Sequence, residues 1–181
     1  MGSTNSYDYC IDCQKIRGES MKVYVKNKMM SLGGSSTVLD ENKNQVFKVK
    51  GKLFSITHKK IVKDMNNKTL FKVRNKFFNW WKHTAFIYDA NNNLVAKVYD
   101  KFINLKKEYF IEGLQDEIKI DGEFFSLTSN ILRNGEVVGT IKRKVDFFVD
   151  SFELDGDEQD MPFLIALVIA IDNIVDKKTR T

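Results

Sequence analysis

The chain has 181 residues, 43% of them apolar and 29% charged, with a formal net charge of +5. That supplies one packed domain or two very small ones, since domains typically run to about 100–150 residues, and it excludes wholesale disorder. No apolar run reaches the roughly 18 residues of a membrane-spanning helix, no signal-peptide pattern opens the chain, and the few Cys and His leave little for a disulfide framework or a structural metal site. Between Lys22 and Lys107, 19 Lys and Arg face 5 Asp and Glu, whereas Asp146–Asp160 holds 7 acids and no base. So polarised a chain presents a basic face, which either attracts phosphates of lipids or nucleic acids or serves as solvated strand surface that blocks edge pairing.

Residues 1–20 lack strand alternation and carry both cysteines, Cys10 and Cys13, as a lone Cys-x-x-Cys. Such a pair is half a zinc site or a redox pair, and no strand-to-helix junction is present to activate it. Arg17-Gly18-Glu19-Ser20 before Met21 reads like a translated ribosome-binding site. The expectation is a leader over 1–20, disordered or non-native, and a single domain over 21–178 that starts at Met21.

From Met21 a hairpin repeats. VLDENKNQVFKVK (38–50), VKDMNNKTLFKVR (62–74) and IYDANNNLVAKVY (87–99) each run an apolar stretch into Asp, an Asn- and Lys-rich turn, and an alternating strand. Asp and Asn bond their own backbone and tolerate left-handed conformations, which marks Asp40, Asp64 and Asp89 as turn residues. Phe47 and Val49 alternate with Lys48 and Lys50, and Phe71 and Val73 with Lys72 and Arg74, the period of a strand. Asp121-Gly122 and Asn134-Gly135 are two-residue hairpin signals. Met21–Lys26, Lys52–Ile56, Lys107–Ile111 and Val145–Leu154 add further alternation. About a dozen short strands with no helix among them must close on themselves or split into two sheets to hide their edges.

One helix follows, over about 161–176. Acids and Pro162 mark its start, Lys177 and Lys178 its end, and Met161–Ile171 carries no charge. A helix apolar all round lies in a membrane or inside protein, and eleven residues span about 17 Å, roughly half a bilayer core. Only the strands are available to enclose it. The expected fold is mainly β, a closed antiparallel barrel of about 12 strands around a central, buried C-terminal helix.

MKVYVKNKMMSLGGSSTVLDENKN (21–44) and SFELDGDEQDMPFLIALVIAIDNIV (151–175) resemble the start and end of the bacterial LURP-one-related proteins. The resemblance implies the fold of the tubby C-terminal domain and the phospholipid scramblases. It also implies binding at membranes, as the better understood relatives bind phosphoinositides or act there.

No catalytic constellation is visible, and no cofactor is called for. His58 and His83 read as exposed strand-end histidines without a nucleophile to activate. Gly33-Gly34-Ser35-Ser36 lacks the Lys-Ser/Thr of a phosphate loop and reads as a turn. Asp155, Asp157 and Asp160 invite a calcium reading, the more so because scramblase-like relatives carry calcium-responsive acids there. An EF-hand register from Asp155 nevertheless puts Asp160 where Gly is needed and Ala166 where Glu is needed.

The lipid-binding candidates are the trios Lys48/Lys50/Lys52 and Lys72/Arg74/Lys76, each on one strand face and brought side by side by the repeat, together with Trp80, Trp81 and Lys82. Trp prefers the bilayer interface, where its ring is half buried and its N–H stays wet. The expected function is therefore a non-enzymatic module at the cytoplasmic membrane face that binds anionic phospholipid. The alternative is a structural or protein-interaction domain without a lipid ligand. Nucleic acid, which could stack on the same aromatics, is disfavoured because the fold is not a usual nucleic-acid module.

Overall fold

In the computed structural model, the described residues are 19–26, 35–51, 57, 59–76, 83–103, 106–113, 116–121, 128–145 and 150–179. Cys10, Cys13, Lys52, His58, Trp80, Trp81 and Lys82 lie outside them.

Alternation becomes strand throughout. The first six strands are β1 (Ser20–Lys26), β2 (Ser35–Asp40), β3 (Gln45–Gly51), β4 (Lys60–Lys63), β5 (Thr69–Asn75) and β6 (Thr84–Asp89). The next six are β7 (Leu94–Ile103), β8 (Lys106–Gly113), β9 (Glu117–Asp121), β10 (Ser129–Arg133), β11 (Glu136–Val145) and β12 (Asp150–Asp157). The helix α1 covers Met161–Thr179. Each strand pairs antiparallel with its chain neighbours, and β1 pairs with β12 to close the barrel. The inward residues, such as Val23, Phe47, Val73, Ile87, Val98 and Phe152, are buried, while Lys22, Lys48, Lys72 and Lys97 next to them in the chain are not; Lys60, opposite Val73, is a buried exception. Closure removes every sheet edge.

The helix fills the barrel. Met161 and every residue from Phe163 to Ile174 are buried, which is why this helix has no polar face. The Asp160 carbonyl accepts the first helical hydrogen bond from Leu164 N at 3.0 Å, and Pro162 occupies the first turn, where its missing N–H costs nothing. The helix packs mainly on β5 and β6, and small Ala85 and Ala96 face inward on β6 and β7. Opposite them, Gly139 on β11 pairs with Gly156 on β12. A Cβ on Gly156 would stand 2.7 Å from the Val138 carbonyl oxygen and 2.9 Å from Leu164 Cδ1. The two glycines thin the wall where Leu164 presses into it.

Several expectations need correction. Val145–Leu154 is not one alternating segment: β11 ends at Val145, which pairs with Asp150 at the start of β12. Asp121-Gly122 does not make a two-residue turn, because Asp121 pairs with Asn130 and the connection is longer. Asn134-Gly135 does make one: Arg133 pairs with Glu136, and both turn residues have positive φ, 53° and 85°. The first strand begins at Ser20 rather than Met21. Ser20 pairs with Asp157, and Glu158 N donates to the Glu19 carbonyl at 3.0 Å. The helix runs to Thr179, so Lys177 and Lys178 lie in its last turn, as expected.

Candidate functional site

Three copies of one turn organise the basic half of the barrel. In each, the Asp carbonyl accepts the N–H three residues on, and the Asp carboxylate accepts the N–H four residues on at 2.8 Å: Asn44 to Asp40, Lys68 to Asp64 and Asn93 to Asp89. The third residue after each Asp takes positive φ, 65° at Lys43, 65° at Asn67 and 69° at Asn92. Each pair of strands consequently carries a register shift beside its turn, at Val38/Leu39, Val62/Lys63 and Ile87/Tyr88. The Asp89 carboxyl is held below its ordinary value by the Asn93 amide first, with Lys72 contributing. At Asp40 desolvation acts upward, but the Asn44 side chain and the Asn44 and Asn42 backbone N–H groups bring the pKa below its ordinary value.

In the first two copies the lysine eight residues after the Asp reaches the next turn along. Lys48 Nζ donates to the Met65 carbonyl at 3.1 Å. Lys72 Nζ donates to the Ala90 carbonyl at 2.8 Å and to Asn92 Oδ1 at 2.7 Å. Lys63 Nζ donates to the Asn67 carbonyl at 3.0 Å, and Arg74 Nη2 to the Tyr88 hydroxyl at 2.7 Å. The hydrogen-bond acceptors of these four cations are neutral.

Elsewhere several cations meet carboxylates: Lys22 meets Glu41, Lys97 meets Glu112, Lys119 meets Glu117 and Lys144 meets Glu153. On the β3–β5 wall, Lys48, Lys63, Lys72 and Arg74 are thus hydrogen-bonded without a direct ion pair among the described residues, although Lys72 lies near enough to Asp89 to lower its pKa.

Lys48 and Lys50 share the outer face of β3, and Lys72 and Arg74 share that of β5, whose side Lys76 continues beyond the strand. The two groups are not side by side. β4 runs between them, so Lys50, Ile61 and Lys72 form one cross-strand row, and Lys63 stands beside Lys48. Strands lie about 4.8 Å apart, which puts the two groups about 10 Å apart across the sheet. Lys50, Arg74 and Lys76 are exposed, while Lys48 and Lys72 are partly buried against the turns they cap.

The outer wall of β5–β8 also carries aromatic rings that composition alone had not placed. Cross-strand rows run Arg74–Phe86–Lys97–Glu112 and Tyr99–Phe110, with Tyr88 paired to Lys72. Arg74 stands 4.4 Å above the Tyr88 ring, Lys97 stands 4.8 Å above Tyr99, and Tyr99 stacks on Phe110 at 5.6 Å. The hydrogen bond to Glu112, with burial added, pushes the Tyr99 hydroxyl above its ordinary pKa. The signal was legible: in TAFIYD the smaller Ala85 alternates with Phe86, so the larger ring had to face outward once Ala85 faced the helix.

Other candidate chemistry resolves into structural contacts. His83 is half-buried rather than exposed. Its backbone N–H donates to Asp100 Oδ1 at 3.2 Å, and its Nδ1 lies 4.0 Å from the same oxygen. Tyr109, paired with Asp100 across β7 and β8, has its hydroxyl pushed upward by burial and then by the Asp100 charge.

The three acids of the calcium reading do not converge. Asp155 accepts from Ser20 Oγ at 3.1 Å, Asp157 lies at the end of β12 opposite Ser20, and Asp160 pairs with Arg133. Among the described residues no group of three or more His, Cys, Asp or Glu could hold a metal ion. A cavity of about 240 Å³ beside the helix start is lined by Asp116, Arg133, Phe163 and Leu94, among others. Its guanidinium is held by Asp160 and lies 5.3 Å from the Phe163 ring. Among the described residues, no helix is long and apolar enough to cross a membrane.

A model of the LURP-one-related family matches residues 21–172, from the first strand into the central helix. An X-ray structure of a protein from Arabidopsis thaliana is similar over 86% of this chain and 91% of its own, with 19% identity and a TM-score of 0.56. At that identity the likeness is one of fold. No curated protein matches the sequence. Because the family match takes in all twelve strands and most of the helix they enclose, the chain belongs to the LURP-one-related family.

Proposed function

We propose that this chain is a non-enzymatic module that docks reversibly on membranes rich in anionic phospholipid, at the cytoplasmic face, through the β3–β5 wall. The observation that carries the reading is the character of the cations there. Lys48, Lys63, Lys72 and Arg74 are oriented by carbonyl, amide and hydroxyl oxygens, which hold them in place and leave the charge of Lys48, Lys63 and Arg74 available to a phosphate, while Lys72 shares its charge with the nearby Asp89 carboxylate. The exposed Lys50 and Lys76 extend the same surface, and in the sequence Lys52 follows β3 while Trp80, Trp81 and Lys82 fall between β5 and β6. A cation near an anionic surface contributes about 1 kcal/mol, and the attraction fades within about 8 Å at physiological salt.

Co-sedimentation with vesicles tests this. The protein should bind phosphatidylserine-containing vesicles and ignore pure phosphatidylcholine, and added salt should release it. Lys72→Glu/Arg74→Glu/Lys76→Glu should weaken binding by about 100-fold or more, since three such contacts are lost. Trp80→Ala/Trp81→Ala should reduce the binding that persists at high salt. If the folded wild type ignores anionic vesicles at low salt, the reading fails and a protein-interaction role takes its place.

A further inference from the structure

We infer that the barrel docks side-on, with the aromatic wall of β5–β8 seated in the headgroup layer beside the basic wall. This rests on the lipid reading above and extends it from the charged residues to a defined orientation of the whole barrel. Phe86, Tyr88, Tyr99 and Phe110 face outward on three adjacent strands, half-buried by one another and by the cations above them. Lys72, Arg74 and Lys76 border them on β5, so apolar rings and positive charge share one continuous surface.

That pairing of chemistries fits the interfacial layer, where ring bodies leave water while hydroxyls and ammonium groups stay wet. The Arg74–Tyr88 contact presents both at one point, a guanidinium 4.4 Å from a ring whose hydroxyl it also bonds at 2.7 Å.

A single-stranded nucleic acid would use rings and cations too, but by stacking bases on open ring faces. Tyr88 already carries Arg74, and Tyr99 already carries Lys97 and Phe110, so a base would compete with partners in place. A lipid interface needs no open ring face. The opposite side of the barrel is built differently. β11 lies six strands from β5 in either direction, and the cation–ring pair there, Lys144 over Tyr24 at 5.6 Å, meets Glu153 as Lys97 meets Glu112, so what sets the aromatic wall apart is Arg74, bonded to the neutral Tyr88 hydroxyl.

The test places one environment-sensitive fluorophore on each side, in full-length protein with Cys10→Ser and Cys13→Ser. Glu112→Cys labels the aromatic wall, and Lys142→Cys labels the outer face of β11. On phosphatidylserine-containing vesicles bearing a bilayer quencher, the label at 112 should be quenched several-fold more than the label at 142. Equal quenching, or stronger quenching at 142, overturns the orientation and leaves the rings as cross-strand staples.

Failure of both proteins and of wild type to sediment with the vesicles would instead sink the parent lipid reading. A response at 112 to a single-stranded oligonucleotide, with none to vesicles, would overturn both in favour of nucleic acid. As a second variant, Phe86→Ala/Phe110→Ala, checked for cooperative melting, should lose about tenfold of the binding that survives high salt, because apolar anchoring is unscreened. Unchanged salt-resistant binding by that folded variant counts against the inference.

Discussion

Asp40, Asp64 and Asp89 perform one task three times, each closing a five-residue turn with its own carboxylate. For Asp40 and Asp89 this sets a pH dependence. Their folded pKa values are depressed, so the stabilisation is present above the ordinary carboxylate range, near pH 4, and disappears as pH falls through the lowered values. Asp40→Asn/Asp89→Asn should therefore melt below wild type at neutral pH, and the gap should narrow in acid in a series of thermal melts. Lys43 is the one lysine at the left-handed position that Asn67 and Asn92 occupy in the other turns. Lys43→Gly should raise the melting temperature by a few degrees, because glycine takes that conformation without steric cost.

These turns were legible in the sequence because Asp and Asn act within four residues of themselves. The partners of Lys48 and Lys72 were not, since each lies in another hairpin, 17 and 18 residues away. The same distance hid the Asp100 contact that draws His83 in from the surface.

Among the elements, the helix is the one on which the others depend. Burying one Leu or Ile side chain contributes about 1.5–3 kcal/mol, against a net stability of about 5–15 kcal/mol for a whole domain. Leu167 is fully buried in the middle of the barrel. A Leu167→Asp protein, or one stopping at Gln159, should be insoluble or lack a cooperative melt by circular dichroism. Gly156→Val should be destabilised by about 2 kcal/mol or more, because the new side chain meets the Val138 carbonyl, which cannot rotate away.

The helix and its enclosure were readable from Met161–Ile171 alone, since an uncharged helix too short for a bilayer has to be surrounded by protein. Where two strands join was less readable. Asp121-Gly122 and the stretch around Val145 show that a local turn signal, or its absence, does not say which residues pair across the turn. Ala85 and Phe86 show the converse, that the identity of the inward residue determines what the outside must carry.

At the scale of the molecule, regional charge pointed to a basic side and the repeat suggested how it would be laid out. The intervening β4 separates the cations of β3 from those of β5 and adds Lys63 beside Lys48, so they are spread over the wall. Binding should accordingly respond to the density of anionic lipid more than to any single headgroup. Titrating the phosphatidylserine fraction should give a steep rise, and swapping phosphatidylserine for phosphatidylglycerol at equal charge should change little.

The seam between β1 and β12 has a consequence for how the protein comes into being. Every other strand pair joins neighbours in the chain, while this one brings together Ser20 and Asp155, 135 residues apart. The helix follows β12, and its side chains fill the interior that this seam closes. We expect the sheet to wrap around the helix and close last, because loop-closure entropy and slow long-range pairing weigh most on the β1–β12 seam. In pulsed hydrogen exchange during refolding, amides of β5 and β6 should gain protection before those of β1. Protection of Val23 and Val25 ahead of Val73 and Ile87 would mean that the cylinder forms first and that the helix finds some other way in.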